Sequence, residues 1–338
     1  MIEIIRSKKE WDSFLDNVDS YDFYHTYDYH ELSIKPDEEC VLITFTENDT
    51  IVGLPFIVRP IPDCEYKDMT SVYGYAGPVS KNLNEHFDNL KFSQAFNTYL
   101  QDQNIISVFS RLNPFINFQH HVLREIGEIK FIGNIVNIDL MKPLDNQRQN
   151  YQRRIKSQIN KARRLCTIRK ATTKEDVLKF IEIYLENMDR VEARSSYYFK
   201  EDYFFKFLES DSLQTDLLLA TLNETNEIIA GVMFIKTNNI VQYHLSGSKE
   251  EYLDLAPVKL LIDEMRICAT QADYKYFNLG GGYGSQNDSL LRFKLSFSKE
   301  LVDFHVWKHI VNQKVYDDLT CSKKTTEIDY FPKYRQPN

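Results

Sequence analysis

The 338-residue chain lacks the features that would place it in a membrane, outside the cell or along a nucleic acid. No apolar run approaches the roughly 20 residues of a membrane span, and the first nine residues hold no apolar stretch of the kind that directs secretion. The five cysteines (Cys40, Cys64, Cys166, Cys268 and Cys321) are odd in number and scattered, without CxxC or Cys/His spacing. That supports neither a disulfide framework nor a zinc site, and a cytoplasmic protein with reduced thiols and no metal is expected. Positive charge is also short: 41 Lys and Arg stand against 49 Asp and Glu, a net −8. Such a balance speaks against a protein held on nucleic acid by non-specific phosphate contacts.

Apolar content, by contrast, is ample. At 43% hydrophobic residues and 13% aromatics the chain can fill two cores, and its length suits two domains. The 21 Tyr and 22 Phe are many for this length, so some tyrosines are expected to line clefts with their polar tips while most pack in cores.

The order of elements repeats. Residues 42–58 read as a strand, a polar turn at Glu47-Asn48-Asp49 and a second strand containing Gly53; residues 218–236 follow the same plan with Gly231 in the matching place. A third strand ending in a glycine turn is expected over 71–78 and again over 241–247. A helix follows each, over 87–100 and 256–270, the latter with Pro257 in its first turn and Leu260, Leu261, Met265 and Cys268 on one face. Short strands at 105–109 and 274–277 close the units. A repeat distance of about 170 to 180 residues is too long for a solenoid and right for a duplicated domain. Between the halves, 145–169 reads as a basic helix with Ile155, Ile159 and Ala162 as its apolar stripe. Its Arg148, Arg153, Arg154, Lys156, Lys161, Arg163 and Arg164 form either a solvated face or a landing surface for a polyanion.

From 245 to 298 the sequence resembles one family. The strand ending Ser246-Gly247-Ser248, then Leu255-Ala256-Pro257, Asn278-Leu279-Gly280-Gly281-Gly282, and the run from Asp288 through Phe293-Lys294 to Phe297 are similar to the C-terminal half of the Fem-type non-ribosomal peptidyltransferases. These belong to the GNAT superfamily, with relatives among the N-acyltransferases of surface-polysaccharide pathways. Looser agreement over 26–35, 75–79, 111–114 and 184–204 extends the resemblance to nearly the whole chain. It implies an α/β (α+β) fold of two tandem GNAT-like domains, each a mixed, mainly antiparallel sheet flanked by helices. The division expected is 1–144 and 145–338, the second entered through the basic helix. The helical arm of some peptidyltransferases has no room here.

The resemblance also distributes roles. Lys294 is implied in the acceptor and acyl cleft, where an ammonium stabilises a developing oxyanion or orients the acceptor, with Phe293 as a wall. The plainer alternative is a surface lysine after a core phenylalanine on a strand. Lys35 and Arg190 are the implied contacts to a nucleotide diphosphate, one from each half. Tyr75 and Tyr243 precede glycine turns in matching places and suit hydrogen bonds to a sugar or carbonyl, or a core. His244 is a candidate general base, although strand alternation allows only one of Tyr243 and His244 to face a cleft, and Tyr243 is favoured. Asn113 stands where many relatives have Asp before Pro, so it can hydrogen-bond but not act as a base. Asp288 is the nearest acidic alternative, or a cap for the following turn.

For the donor, Ser248 and Lys249 are the candidate cofactor contacts, in a loop (247–254) that lacks the glycine-rich pyrophosphate signature of ordinary GNAT enzymes. The expected function is transfer of an acyl group, such as acetyl or 3-hydroxybutanoyl, from acyl-CoA to the amine of a nucleotide-linked amino sugar for O-antigen or capsule synthesis. The alternatives are an aminoacyl-tRNA-dependent transferase acting on a UDP-linked peptidoglycan precursor, with tRNA as a partner, and a binding module without catalysis.

Overall fold

The computed structural model describes residues 2–321 and 329–336. It opens with strand β1 (Ile2–Ile5), helices α1 (Lys8–Leu15) and α2 (Tyr27–Ser33), and strands β2 (Glu39–Glu47), β3 (Thr50–Pro60), β4 (Lys67–Thr70) and β5 (Val79–Lys81). Then come α3 (Leu90–Asp102), β6 (Ile105–Arg111), α4 (Gln119–Val122) and β7 (Glu128–Asp139). The middle of the chain forms α5 (Leu144–Gln149), α6 (Arg153–Leu165), β8 (Cys166–Lys170), α7 (Lys174–Arg190), α8 (Glu201–Glu209), β9 (Gln214–Leu222) and β10 (Ile228–Thr237). It continues with β11 (Ile240–Ser248), α9 (Pro257–Gln271), β12 (Tyr276–Gly280), α10 (Ser289–Lys294), β13 (Glu300–Ile310) and α11 (Gln313–Cys321).

Contacts group these elements into two units, Met1–Ile132 with Asp303–Asn338, and Gly133–Val302. In the first, the strand order is β1-β2-β3-β4-β6-β13, with β5 also on β3. All neighbours are antiparallel except the β4–β6 pair. The second runs β8-β9-β10-β11-β12-β7, antiparallel except for β11–β12. The two units therefore share one topology, the mixed and mainly antiparallel GNAT-like sheet that the resemblance implied.

The strand that completes each sheet comes from beyond the other unit's repeat. β7, which follows the first repeat, pairs with β12 through Val136–Asp139, while β13, which follows the second, pairs with β6. For this reason the contacts group differently from the expected 144/145 division: β7 lies upstream of it, and the described residues from Asp303 onward group with the first unit.

Matched glycines show how the repeat is built. A Cβ on Gly53 would lie 2.4 Å from the Phe14 ring of α1, and one on Gly231 would lie 2.4 Å from the Phe180 ring of α7. In each unit the bare backbone on the second hairpin strand lets a helical phenylalanine sit directly on the sheet. On the other face of the second unit, Val232, Phe234, Val241 and Phe277 pack against Ile155 and Ile159 of α6 and Leu260, Leu261 and Met265 of α9, all fully or nearly fully buried.

Three local expectations need correction. Residues 71–78 form an irregular segment between β4 and β5 rather than a strand, with Gly74 and Gly77 at φ of 134° and 91°. The basic stretch is broken: α5 and α6 are separate helices, and residues 166–170 leave helix for β8. Lys294 ends a helix rather than lying on a strand, because Asp288 caps that helix by accepting the Leu291 N–H at 2.8 Å.

Candidate active site

β11 and β12 run parallel but pair only where Ile240, Val241 and Gln242 face Tyr276, Phe277 and Asn278. Beyond that point β11 continues to Ser248 with β10 on one side, and β12 continues to Gly280 with β7 on the other. The backbone of residues 243–248 thus has one edge with no strand against it among the described residues. Paired strands normally satisfy such edges, so this one is open to an extended ligand. A β-bulge marks the same place: Tyr243 faces Phe234 and Leu245 faces Met233, leaving His244 as the extra residue.

Lys294 belongs to this end of the second unit. Its side chain is buried (7% exposed), and Nζ donates to the Gly281 carbonyl at 2.6 Å, one residue past the end of β12. Burial pushes the ammonium down to about 8, opposed by the charge of Asp288. The glycine triplet is required by this loop: a Cβ on Gly282 would sit 2.0 Å from the Gln286 carbonyl and 2.6 Å from an Asp288 carboxylate oxygen. That carboxylate also accepts the Tyr283 N–H at 2.8 Å, so Asp288 is a cap and loop anchor. Phe293 is half-buried, edge-on to Phe297 with centroids 5.6 Å apart, with the Lys259 ammonium 6.0 Å from its ring centre.

Tyr243 and His244 pack on opposite sides of the sheet. Tyr243 packs toward Phe234 and the α9 side, and its hydroxyl bonds Ser246 Oγ. Burial pushes the phenol up to about 12, so it stays a neutral donor. His244 lies against α8, stacked on Phe207 at 4.9 Å with Nε2 bonded to the Tyr203 hydroxyl at 2.9 Å. Burial lowers it to about 3. A nitrogen so reluctant to take a proton is a poor general base near neutrality, and the aromatic nest around it is structural.

The other expected residues divide by unit. Lys35, Tyr75 and Asn113 belong to the first, Arg190, Ser248 and Lys249 to the second. Lys35 and Arg190 are both exposed, and Arg190 bonds Asn187 at the end of its own helix. Tyr75 is edge-on to Tyr24 and Phe304. The Asn113 side chain is spent inside the protein: Nδ2 donates to Asp22 and to the Tyr75 carbonyl, both at 2.9 Å, and Oδ1 accepts the Phe115 N–H. It acts as a brace. Ser248 is buried. Lys249 is ion-paired with Glu227, which holds its ammonium up, and Tyr252 also donates to Glu227 at 2.8 Å. Lys249 therefore already has a counter-ion.

A row of buried amides went unrecognised in the sequence. Gln242, Asn278 and Asn137 face one another across β11, β12 and β7. Asn278 Oδ1 accepts the Gly280 N–H at 2.7 Å, while its Nδ2 and the Asn137 Oδ1 have no hydrogen-bond partner among the described residues. The signal was present: each is a lone amide between large apolar or aromatic neighbours on a strand. Among the described residues, no group of three or more His, Cys, Asp and Glu side chains is placed to hold a metal ion, and no helix is long and apolar enough to cross a membrane.

The second unit thus carries a strand edge that no described strand covers and, on the loop past β12, a buried lysine, and the chain is an acyltransferase. Residues 149–294 match the family described as acetyltransferase (GNAT) domain. No curated protein matches the chain. Among solved structures it shares the fold of FemX, at 14% identity and a TM-score of 0.71, over 93% of this chain and 99% of that one. A conserved protein of unknown function from Bacteroides thetaiotaomicron matches at 11% identity and 0.58, over 90% and 99%. The C-terminal domain (DUF2156) of a protein described as a lysylphosphatidylglycerol synthetase, from Agrobacterium fabrum, matches at 12% and 0.57, over 91% and 94%.

Proposed function

We propose that the protein is an acyl-CoA-dependent N-acyltransferase whose acceptor is the amine of a nucleotide-linked amino sugar, in O-antigen or capsule synthesis in the cytoplasm. The observation that carries the acyl-transfer site is Lys294, a desolvated ammonium fixed at the loop that leaves β12. The acyl thioester lies along the free edge of β11, its amide groups bonding to backbone that no strand satisfies. The acceptor nitrogen attacks the thioester carbonyl, the carbon–sulfur bond breaks and an amide forms. Charge building on the carbonyl oxygen is met by Lys294, and a positive donor fixed in a low-dielectric setting is worth far more there than in water. Tyr243, a neutral phenol, suits donation of a proton to the departing thiolate and is restored by the proton the attacking nitrogen sheds, so that an amide and a free thiol result.

A second reading has its own observation. Arg148 and Arg163 are tied to the buried Asp263, but Arg153, Arg154, Lys161 and Arg164 are exposed on α6 without a carboxylate partner among the described residues. They lie within about a third of the helix circumference at 3.6 residues per turn. That face suits the phosphates of an aminoacyl-tRNA, with a peptidoglycan precursor as acceptor.

Purified enzyme incubated with dTDP- and UDP-linked amino sugars and a set of acyl-CoAs is followed for free thiol. Thiol release that requires an amino sugar supports the first reading; no release, with amino acid transferred from charged tRNA instead, replaces it by the second.

A further inference from the structure

Arg111, at the end of β6 in the first unit, is a cation without a counter-ion among the described residues. Its backbone is pinned: the N–H donates to Ser71 Oγ at 3.1 Å and the carbonyl accepts the Ala76 N–H at 3.0 Å. The side chain is half-buried, with the guanidinium carbon 5.1 Å from the Tyr73 ring centre and 5.0 Å from that of Phe109. No carboxylate, carbonyl or hydroxyl among the described residues accepts a hydrogen bond from its guanidinium. Burial disfavours its charge, and so does neighbouring Arg59, while the groups that favour it are the phenols of Tyr73, Tyr29 and Tyr330. A guanidinium does not escape by losing its proton.

Its neighbours sharpen the contrast. Arg59 and Arg335 both place Nε on the fully buried Asp68, at 2.7 and 2.5 Å, and Arg335 also donates to the Pro60 carbonyl. One carboxylate thus serves two arginines, leaving the third with five N–H groups and only ring faces around it. The Tyr29 hydroxyl donates to the Tyr73 carbonyl at 3.0 Å, which fixes the irregular 71–78 segment where the Tyr73 ring covers the guanidinium. Tyr73 as a whole remains 64% exposed.

We propose that Arg111 and Tyr73 form an oxyanion site that takes a phosphate group of a nucleoside diphosphate, with Arg111 on the phosphate and the exposed ring of Tyr73 beside the base. A fork of N–H groups matches phosphate oxygens, and the positive excess around Asp68 favours a multiply charged anion over a single carboxylate. This rests on the acceptor being nucleotide-linked, and it gives a role to Arg111, for which the sequence resemblance implied none.

Calorimetric titration of the whole protein with UDP, inorganic pyrophosphate and uridine tests it. UDP and pyrophosphate are expected to bind and uridine not to. Arg111→Met is expected to weaken UDP and pyrophosphate at least tenfold without lowering the melting temperature, since it removes an unpaired charge; Arg111→Lys is expected to fall between. Tyr73→Ala is expected to weaken UDP and leave pyrophosphate unchanged. Should Arg111→Met not fold, Arg111→Gln carries the same expectation. UDP affinity within twofold of the parent in a folded Arg111 variant overturns the site, as does a parent protein that binds neither phosphate compound. The thiol-release assay separates this from the proposed reaction. UDP binding through Arg111 without acyl transfer keeps the site and removes the reaction, whereas acyl transfer indifferent to Arg111→Met does the reverse.

Discussion

Lys294 is where chemistry and stability separate. Among the described residues its buried ammonium has one acceptor, the Gly281 carbonyl. Lys294→Met keeps the length and removes the charge, so kcat is expected to fall about 100- to 1,000-fold, the usual loss for one oxyanion donor. The melting temperature is expected to stay within a few degrees, because the lost hydrogen bond, about 1 kcal/mol, is offset by relief of desolvation. If the ammonium is the active form, activity declines as pH rises through about 8. Stability moves the other way: between about 8 and the ordinary lysine value the unfolded chain binds a proton that the folded protein does not, so folding gains as pH rises through that window. A pH–rate profile and a pH–melting series check both slopes; an alkaline limb retained in a Lys294→Met variant that is still active would assign it to another group. Lys249 gives a contrasting case. Being paired with Glu227, it has little charge to offer a donor, and Lys249→Gln is expected to change the acyl-CoA KM by less than threefold.

At the scale of elements, the hairpin glycines are the most exacting positions. Gly231→Ala would drive a methyl into Phe180, itself fully buried, and is expected to cost about 1–3 kcal/mol, read as a drop in the denaturation midpoint without change in slope. The hairpins were legible in the sequence because β-branched and apolar runs flank polar turns, and α9 because its apolar spacing and Pro257 announce it. The segment 71–78 was not. Its Val, Tyr and Ala look like a strand, yet left-handed Gly74 and Gly77 turn the chain away before any ladder forms. The helix holding Lys294 was hidden because six residues show no period; the Asp288 cap decides it.

For the whole molecule, the exchange of completing strands sets a limit on cutting the chain. A fragment of 145–338 loses β7, leaving the apolar edge of β12 bare, and carries β13 without β6. Expressed alone it is expected to aggregate, whereas a fragment beginning near 128 is expected to be more soluble; gel filtration of the two compares them. The sequence by itself determined the duplication, the paired hairpins and α9, and offered Lys294 as a candidate, since these rest on local pattern and on motif. Only the tertiary structure decided which strand closes each sheet, that Lys249, Asn113 and His244 are already engaged within the protein, and that Arg111 is left without an acid among the described residues. Partnership in a folded chain is set by which side chains long-range strand pairing brings together, as Asp68 with Arg59 and Arg335, and no local pattern records it.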